Sequence, residues 1–191
     1  MNHLAHFFLS RHSEKMMVGN FIADSVKGKK FRDYEKEISR GILMHREIDS
    51  FTDTHEIVKH SKSFFRTRYG LYSSVIIDLV YDHFLGANWN SFSDSPLPSF
   101  AEQCYKVFEK YLLVMPERNQ RMLPFMQKQN WLVNYAEIEG ITRSLKGLSG
   151  RIKNDPGIGE AHEELSLHYK ALSKDFQVYF PLLIHHISSY T

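Results

Sequence analysis

A chain of 191 residues, 42% hydrophobic and 24% charged, is long enough to bury one full core and short enough that two independent domains would be crowded. Its single cysteine, Cys104, excludes an internal disulfide, and a formal net charge of +2 is too small to argue for nucleic-acid binding. No apolar run approaches the roughly 20 residues that span a bilayer, and the stretch from Leu4 to Leu9 has no basic segment before it, so a cytoplasmic chain with neither membrane nor nucleic-acid partner is expected.

Helical periodicity dominates and no alternating run marks a strand, which predicts one all-α domain over residues 1–191. In chain order the pattern predicts helices over 2–10, 15–26, 34–52, 55–68, 71–89, 98–114, 117–127, 131–136, 138–151 and 160–188. Ser91 to Pro98 reads as a loop, and Asn154, Asp155, Pro156, Gly157 and Gly159 read as a turn. Pro181 should kink or end the last helix. That helix also supplies a control, because its stripe of Leu165, Tyr169, Leu172, Phe176 and Leu183 is wholly apolar, as an ordinary core-facing helix should be.

Two helices break that rule. At about 100° per residue, the 71–89 helix places Leu71, Val75, Asp78, Asp82, Leu85 and Trp89 on one face, with His83 at its edge. An ionised carboxylate on a buried face is costly unless it is paired or bound to a cation. The 34–52 helix repeats the pattern with Ile38, Ile42, His45, Asp49 and Thr52, and His6 and Asp24 extend it to two more helices. A mixed Asp/His set without thiolate suits Mn²⁺, Mg²⁺ or Fe²⁺ better than structural Zn²⁺. The bland alternatives are a hydrogen-bonded core histidine at His6, a buried ion pair between His45 and Asp49, and Asp53 as cap of the helix starting near His55.

Other features lose their apparent meaning on geometry. His55 and His60 are five residues apart where a zinc-protease helix needs four, so they diverge by about 140°. His162, His168, His185 and His186 have no acidic face beside them, and Lys27, Lys29, Lys30 and Arg32 read as a solvated loop.

The motifs are similar, in order and spacing, to those of the acyl carrier protein phosphodiesterase family. They are Met-Asn-His-Leu-Ala-His6, Gly19-Asn-Phe-Ile-Ala-Asp24 with Val26-Lys-Gly28, Gly41-Ile-Leu-Met-His-Arg-Glu-Ile-Asp49 with Thr52-Asp53, Asp78-Leu-Val-Tyr-Asp-His-Phe-Leu85 with Trp89, Trp131-Leu132 with Tyr135, and Gly147-Leu-Ser-Gly-Arg151. The resemblance implies a helical bundle like a divergent HD-domain phosphohydrolase, with Mn²⁺ as cofactor or Mg²⁺, Fe²⁺ or Co²⁺ in its place. It implies hydrolysis of the phosphodiester joining 4′-phosphopantetheine to a serine of holo acyl carrier protein, the macromolecular partner. Under that reading Asp24, His45, Asp82 and His83 are the expected metal ligands, with His6 and Asp78 next in line. Asp49 is expected to orient His45 or act as base, Asp78 to take part in catalysis, and Arg46, Lys27 and Asn20 to hold the phosphate, Arg46 also counting as catalytic. Residues 1–72 hold 13 Lys/Arg against 9 Asp/Glu, a basic front half expected to meet an acidic carrier. The same donors would also serve a phosphohydrolase acting on a nucleotide or another small phosphate ester, and a non-catalytic helical module would need only ion pairs.

Overall fold

The computed structural model describes residues 1–190 and is helical throughout, with no strand among them. Ten α-helices follow one another: α1 (His3–Leu9), α2 (Glu14–Ile22), α3 (Lys36–Thr54), α4 (Glu56–Tyr69), α5 (Ser73–Ala87), α6 (Leu97–Lys110), α7 (Glu117–Lys128), α8 (Trp131–Asn134), α9 (Ile138–Ser149) and α10 (His162–His186). No helix of the described residues is long and apolar enough to cross a membrane.

Helix ends follow local chemistry. Ser13 caps α2 by accepting a hydrogen bond from the Met16 N–H. The cap of α4 is His55, whose Nδ1 accepts from the Ile57 N–H. The expected capping role of Asp53 is therefore corrected: Asp53 instead takes the Lys62 ammonium at 2.8 Å. Gly70, with φ of +54°, ends α4 in a conformation that a residue with a Cβ adopts reluctantly. The turn before α10 forms as expected, with Gly157 left-handed and Asp155 accepting from the Ile158 N–H.

Three departures from the periodicity have structural consequences. The 71–89 helix starts at Ser73 after a 3-10 turn, so Leu71 falls off the expected face and is 81% exposed. The helix from 15 tightens at its end into the 3-10 turn Ala23–Ser25, which turns Asp24 outward. Finally, α10 runs on through Pro181, and its one non-helical residue is His168. Pro181 and Gln177, whose carbonyl loses its partner, both lie on the exposed side, where water replaces the missing N–H. The neighbouring Phe176, Tyr179, Phe180 and Leu183 are fully buried and hold the helix on both sides of the proline.

A continuous core runs from Met1 to Ile187. α5 lies at its centre, packed by α1, α4, α9 and α10. It is buried nearly all round, as befits a helix in the middle of a bundle. Aromatic side chains fill the spaces between elements: Phe7, Phe21 and Phe108 pack edge-on or tilted between α1, α2 and α6, while Phe8 and Trp89 meet Phe180 and Phe100.

The tightest packing is between α2 and α3, where two glycines let the backbones touch. A Cβ on Gly19 would lie 2.0 Å from the Ile38 carbonyl oxygen, and one on Gly41 would lie 2.1 Å from that of Met16. Each glycine stands one residue or one turn from a side chain of interest: Gly19 before Asn20, and Gly41 four residues before His45. Gly41→Ala should therefore force the helices apart and cost about 3 kcal/mol, read as a fall in the urea unfolding midpoint; an unchanged midpoint would contradict the backbone contact.

Candidate active site

α1, α2 and α3 bring their polar residues together at one end of α5. The side chains of His6, His45 and Asp49 place one donor atom each within 4.8 Å of one another. His6 Nε2 is 3.2 Å from Asp49 Oδ1, and His45 Nε2 is 3.1 Å from Asp49 Oδ2. The two imidazoles stack with centroids 4.0 Å apart. Asp24 approaches from the 3-10 turn, its Oδ1 3.4 Å from His45 Nε2.

The Asn20 amide fixes the orientation of this cluster. Its Nδ2 donates to the His6 carbonyl (3.1 Å), so its Oδ1 is the atom that faces His45 Nδ1 at 2.9 Å. An amide oxygen only accepts, so Nδ1 of His45 carries the hydrogen. In the neutral ring Nε2 then presents a lone pair to the carboxylates of Asp24 and Asp49, an arrangement that calls for a proton or a cation between them. His6 is buried, yet neither ring nitrogen has a hydrogen-bond partner, because Nε2 approaches Asp49 without the alignment of one. Buried polar atoms left in this condition are rare.

Electrostatics sharpen the same point. Burial opposes a charge on His45, but the carboxylates of Asp24 and Asp49 outweigh it and raise the imidazole pKa to about 9. Burial, with His45 beside it, lowers His6 to about 4. Burial disfavours the Asp49 carboxylate too, yet His45 and His6 hold it well below the usual carboxylate range, and His45 also lowers Asp24.

Asp78 belongs to the same cavity, whose volume is about 330 Å³ and whose lining includes His3, Asp24, Asp49, Asp53 and Asp78. Its Oδ1 binds the buried Met1 ammonium at 2.7 Å. His3 is a site residue that sequence reasoning passed over. It stands one turn before His6 on α1 and stacks between Phe7 and Trp131, and burial lowers its pKa to about 4. The His3-x-x-His6 spacing was the available signal.

Five expected roles are not supported by the positions of the residues. Asp82 is fully buried and accepts from the backbone N–H groups of Leu4 (2.7 Å), Ala5 (3.2 Å) and Asn2 (3.3 Å), so it caps α1 instead of reaching the cluster. His83 is bonded at both nitrogens, Nδ1 to the Tyr135 carbonyl and Nε2 to the Tyr169 hydroxyl, each at 3.0 Å, leaving none for a metal. The Arg46 guanidinium is spent on the Val26 and Gly28 carbonyls (2.7 and 2.9 Å), tying down the loop after α2 in place of holding a phosphate. Asn20 is 1% exposed and positions the two histidines. Lys27 is exposed and does not line this cavity.

A family model described as acyl carrier protein phosphodiesterase matches residues 1–183. Relatives bearing that name include proteins of Photorhabdus laumondii (31% identical, over 96% of this chain and 93% of the relative), Yersinia enterocolitica (31%, 96% and 96%) and Escherichia coli (30%, 98% and 98%). No solved structure matches the chain.

Two outcomes are expected. Asp82→Ala should lower stability by about 2 to 4 kcal/mol in a urea melt, because three buried N–H groups lose their acceptor; a variant as stable as the wild type would contradict the capping role. Between pH 6.5 and 9, stability should fall as pH rises. The raised pKa of His45 gives a contribution that is complete below the ordinary histidine value and drains away as pH climbs to about 9, a loss on the order of 3 kcal/mol. His45→Asn should flatten that slope between pH 6.5 and 9, and an identical slope in the variant would refute the assignment.

Proposed function

The chain belongs to the acyl carrier protein phosphodiesterase family, and from that footing we propose that it hydrolyses the phosphodiester between 4′-phosphopantetheine and a serine of holo acyl carrier protein, using a divalent cation held by His6, His45 and Asp49 with Asp24. The observation that carries the reading is the convergence of two imidazole nitrogens and a shared carboxylate, one imidazole having no hydrogen-bond partner of its own. Two nitrogens and carboxylate oxygens without thiolate favour Mn²⁺, with Mg²⁺, Fe²⁺ and Co²⁺ as relatives in ligand preference. The same inward-facing His/Asp set is what supports a kinship with HD-type phosphohydrolases. A cytoplasmic setting follows from the carrier protein as substrate.

Bound there, a divalent cation supplies Lewis acidity to a phosphoryl oxygen and to water. The protein's own groups do the rest. Asn20 fixes the His45 tautomer so that Nε2 faces the site, a positioning effect that sets ligand basicity. Asp49 bridges both imidazoles and is thereby committed to holding. Of the two other carboxylates at the cavity, Asp53 is paired with Lys62, and we assign Asp78, through the oxygen that the Met1 ammonium does not hold, the proton released as water adds to phosphorus. The P–O bond to the carrier serine breaks, and the serine oxygen leaves with the proton that Asp78 gives back, giving apo carrier protein and phosphopantetheine. Loading the cation displaces the proton that His45 otherwise holds, so affinity should rise with pH up to about 9.

Incubating the protein and Mn²⁺ with holo carrier protein should lower the carrier's mass by one phosphopantetheine group, and persistence of the full mass would sink the substrate assignment. Asp49→Asn should cut both bound metal and turnover by about 100-fold.

A further inference from the structure

A second cavity, of about 280 Å³, opens beside the histidine cluster and shares Asn2, His3, Asp24 and Val75 with it. It lies among α5, α7, α8 and α9, and it gathers the motifs Trp131-Leu132 with Tyr135 and Gly147 to Arg151, for which the reaction itself has no use. The two cavities differ in charge. Four aspartates line the first, whereas Asp24, at the shared end, is the only acid of the second.

The walls are of three kinds. Phe21, Leu79, Met122, Trp131 and Leu148 are apolar. Arg118, Arg143 and Arg151 are exposed, and none has an ion-pair partner among the described residues. Between them is Asn119, which is 2% exposed and donates its Nδ2 to the Phe21 carbonyl at 2.9 Å, while its Oδ1 has no partner. An unspent acceptor so deeply buried is costly and asks for an N–H donor.

Resting on the reading above, we infer that this cleft seats the pantetheine arm of the substrate, with Asn119 Oδ1 accepting a hydrogen bond from an amide N–H of the arm. An uncharged chain that alternates amides with short aliphatic segments matches a cleft that alternates an apolar wall with isolated polar groups. The arginines supply donors for the arm's carbonyl oxygens and a positive margin for the phosphate from which it hangs. Because the cleft meets the cluster at Asn2, His3 and Asp24, an arm lying in it leaves its phosphate end beside His6 and His45.

Gly147 provides the test. It lines the cleft, and a Cβ there would meet nothing within 4 Å, so Gly147→Phe can fill the cleft without disturbing the helix. Pantetheine, which has no phosphate, is titrated into the metal-loaded protein while Trp131 fluorescence is followed. Saturable binding is expected in the wild type, at least tenfold weaker in Gly147→Phe and also weaker in Asn119→Leu, with unchanged melting curves for Gly147→Phe. No saturable response in the wild type, or wild-type affinity in both variants, would overturn the inference. Failure of the carrier mass assay with pantetheine binding intact would remove the proposed reaction and leave the seat, whereas cleavage of holo carrier without pantetheine binding would do the reverse.

Discussion

Everything at this site depends on a single carboxylate shared by two stacked imidazoles. Asp49 lies just over 3 Å from a ring nitrogen of each, and Asp24 adds a second negative group beside His45. Without a positive charge among them, lone pairs and carboxylate oxygens would face each other at close range in a partly desolvated pocket, which is strongly unfavourable. A proton on His45 relieves the conflict, and the proposed cation would relieve it in the same place.

That geometry is enforced by residues outside the cluster itself. Gly19 and Gly41 bring α2 and α3 into backbone contact, which sets Asn20 against His45. Asp82 pins the start of α1 by satisfying its free N–H groups, and α1 carries His3 and His6. Arg46 ties the loop that follows Asp24 to α3. Each of these polar groups is buried or half-buried because it completes a backbone that would otherwise lack partners. Polar residues on an inward face therefore divide into those that serve the frame and those that serve the chemistry, and only their partners tell them apart.

The cleft beside the cluster extends the same division to charge. The positive margin is built from Arg118, Arg143 and Arg151, in the half of the chain where acids outnumber bases by 13 to 11. A sum over sequence segments does not report where cations stand free, because ion pairs such as those of Arg68 with Glu163 and Glu164 cancel locally while unpaired groups gather elsewhere.

Much was legible beforehand. Hydrophobic periodicity determined the helices, because each helix must turn one stripe inward whatever it packs against, and the apolar stripe of α10 is buried except for the half-covered Tyr169. Sequence also determined which residues are chemically anomalous: His6, His45, Asp49, Asp78, Asp82 and His83 all stand where apolar side chains belong. What it left open was which anomalous faces meet. Asp82 and Asp78 occupy one stripe of α5, yet the first binds the end of α1 and the second lines the cavity, and periodicity gives them the same direction. Likewise the 3-10 turn at Ala23–Ser25 decides where Asp24 points, and the α2 and α3 contact decides that Asn20 orients a histidine. Those outcomes depend on pairings between residues as much as 80 positions apart, and a local pattern contains the direction of a side chain relative to its own helix but not the identity of the helix that comes to meet it.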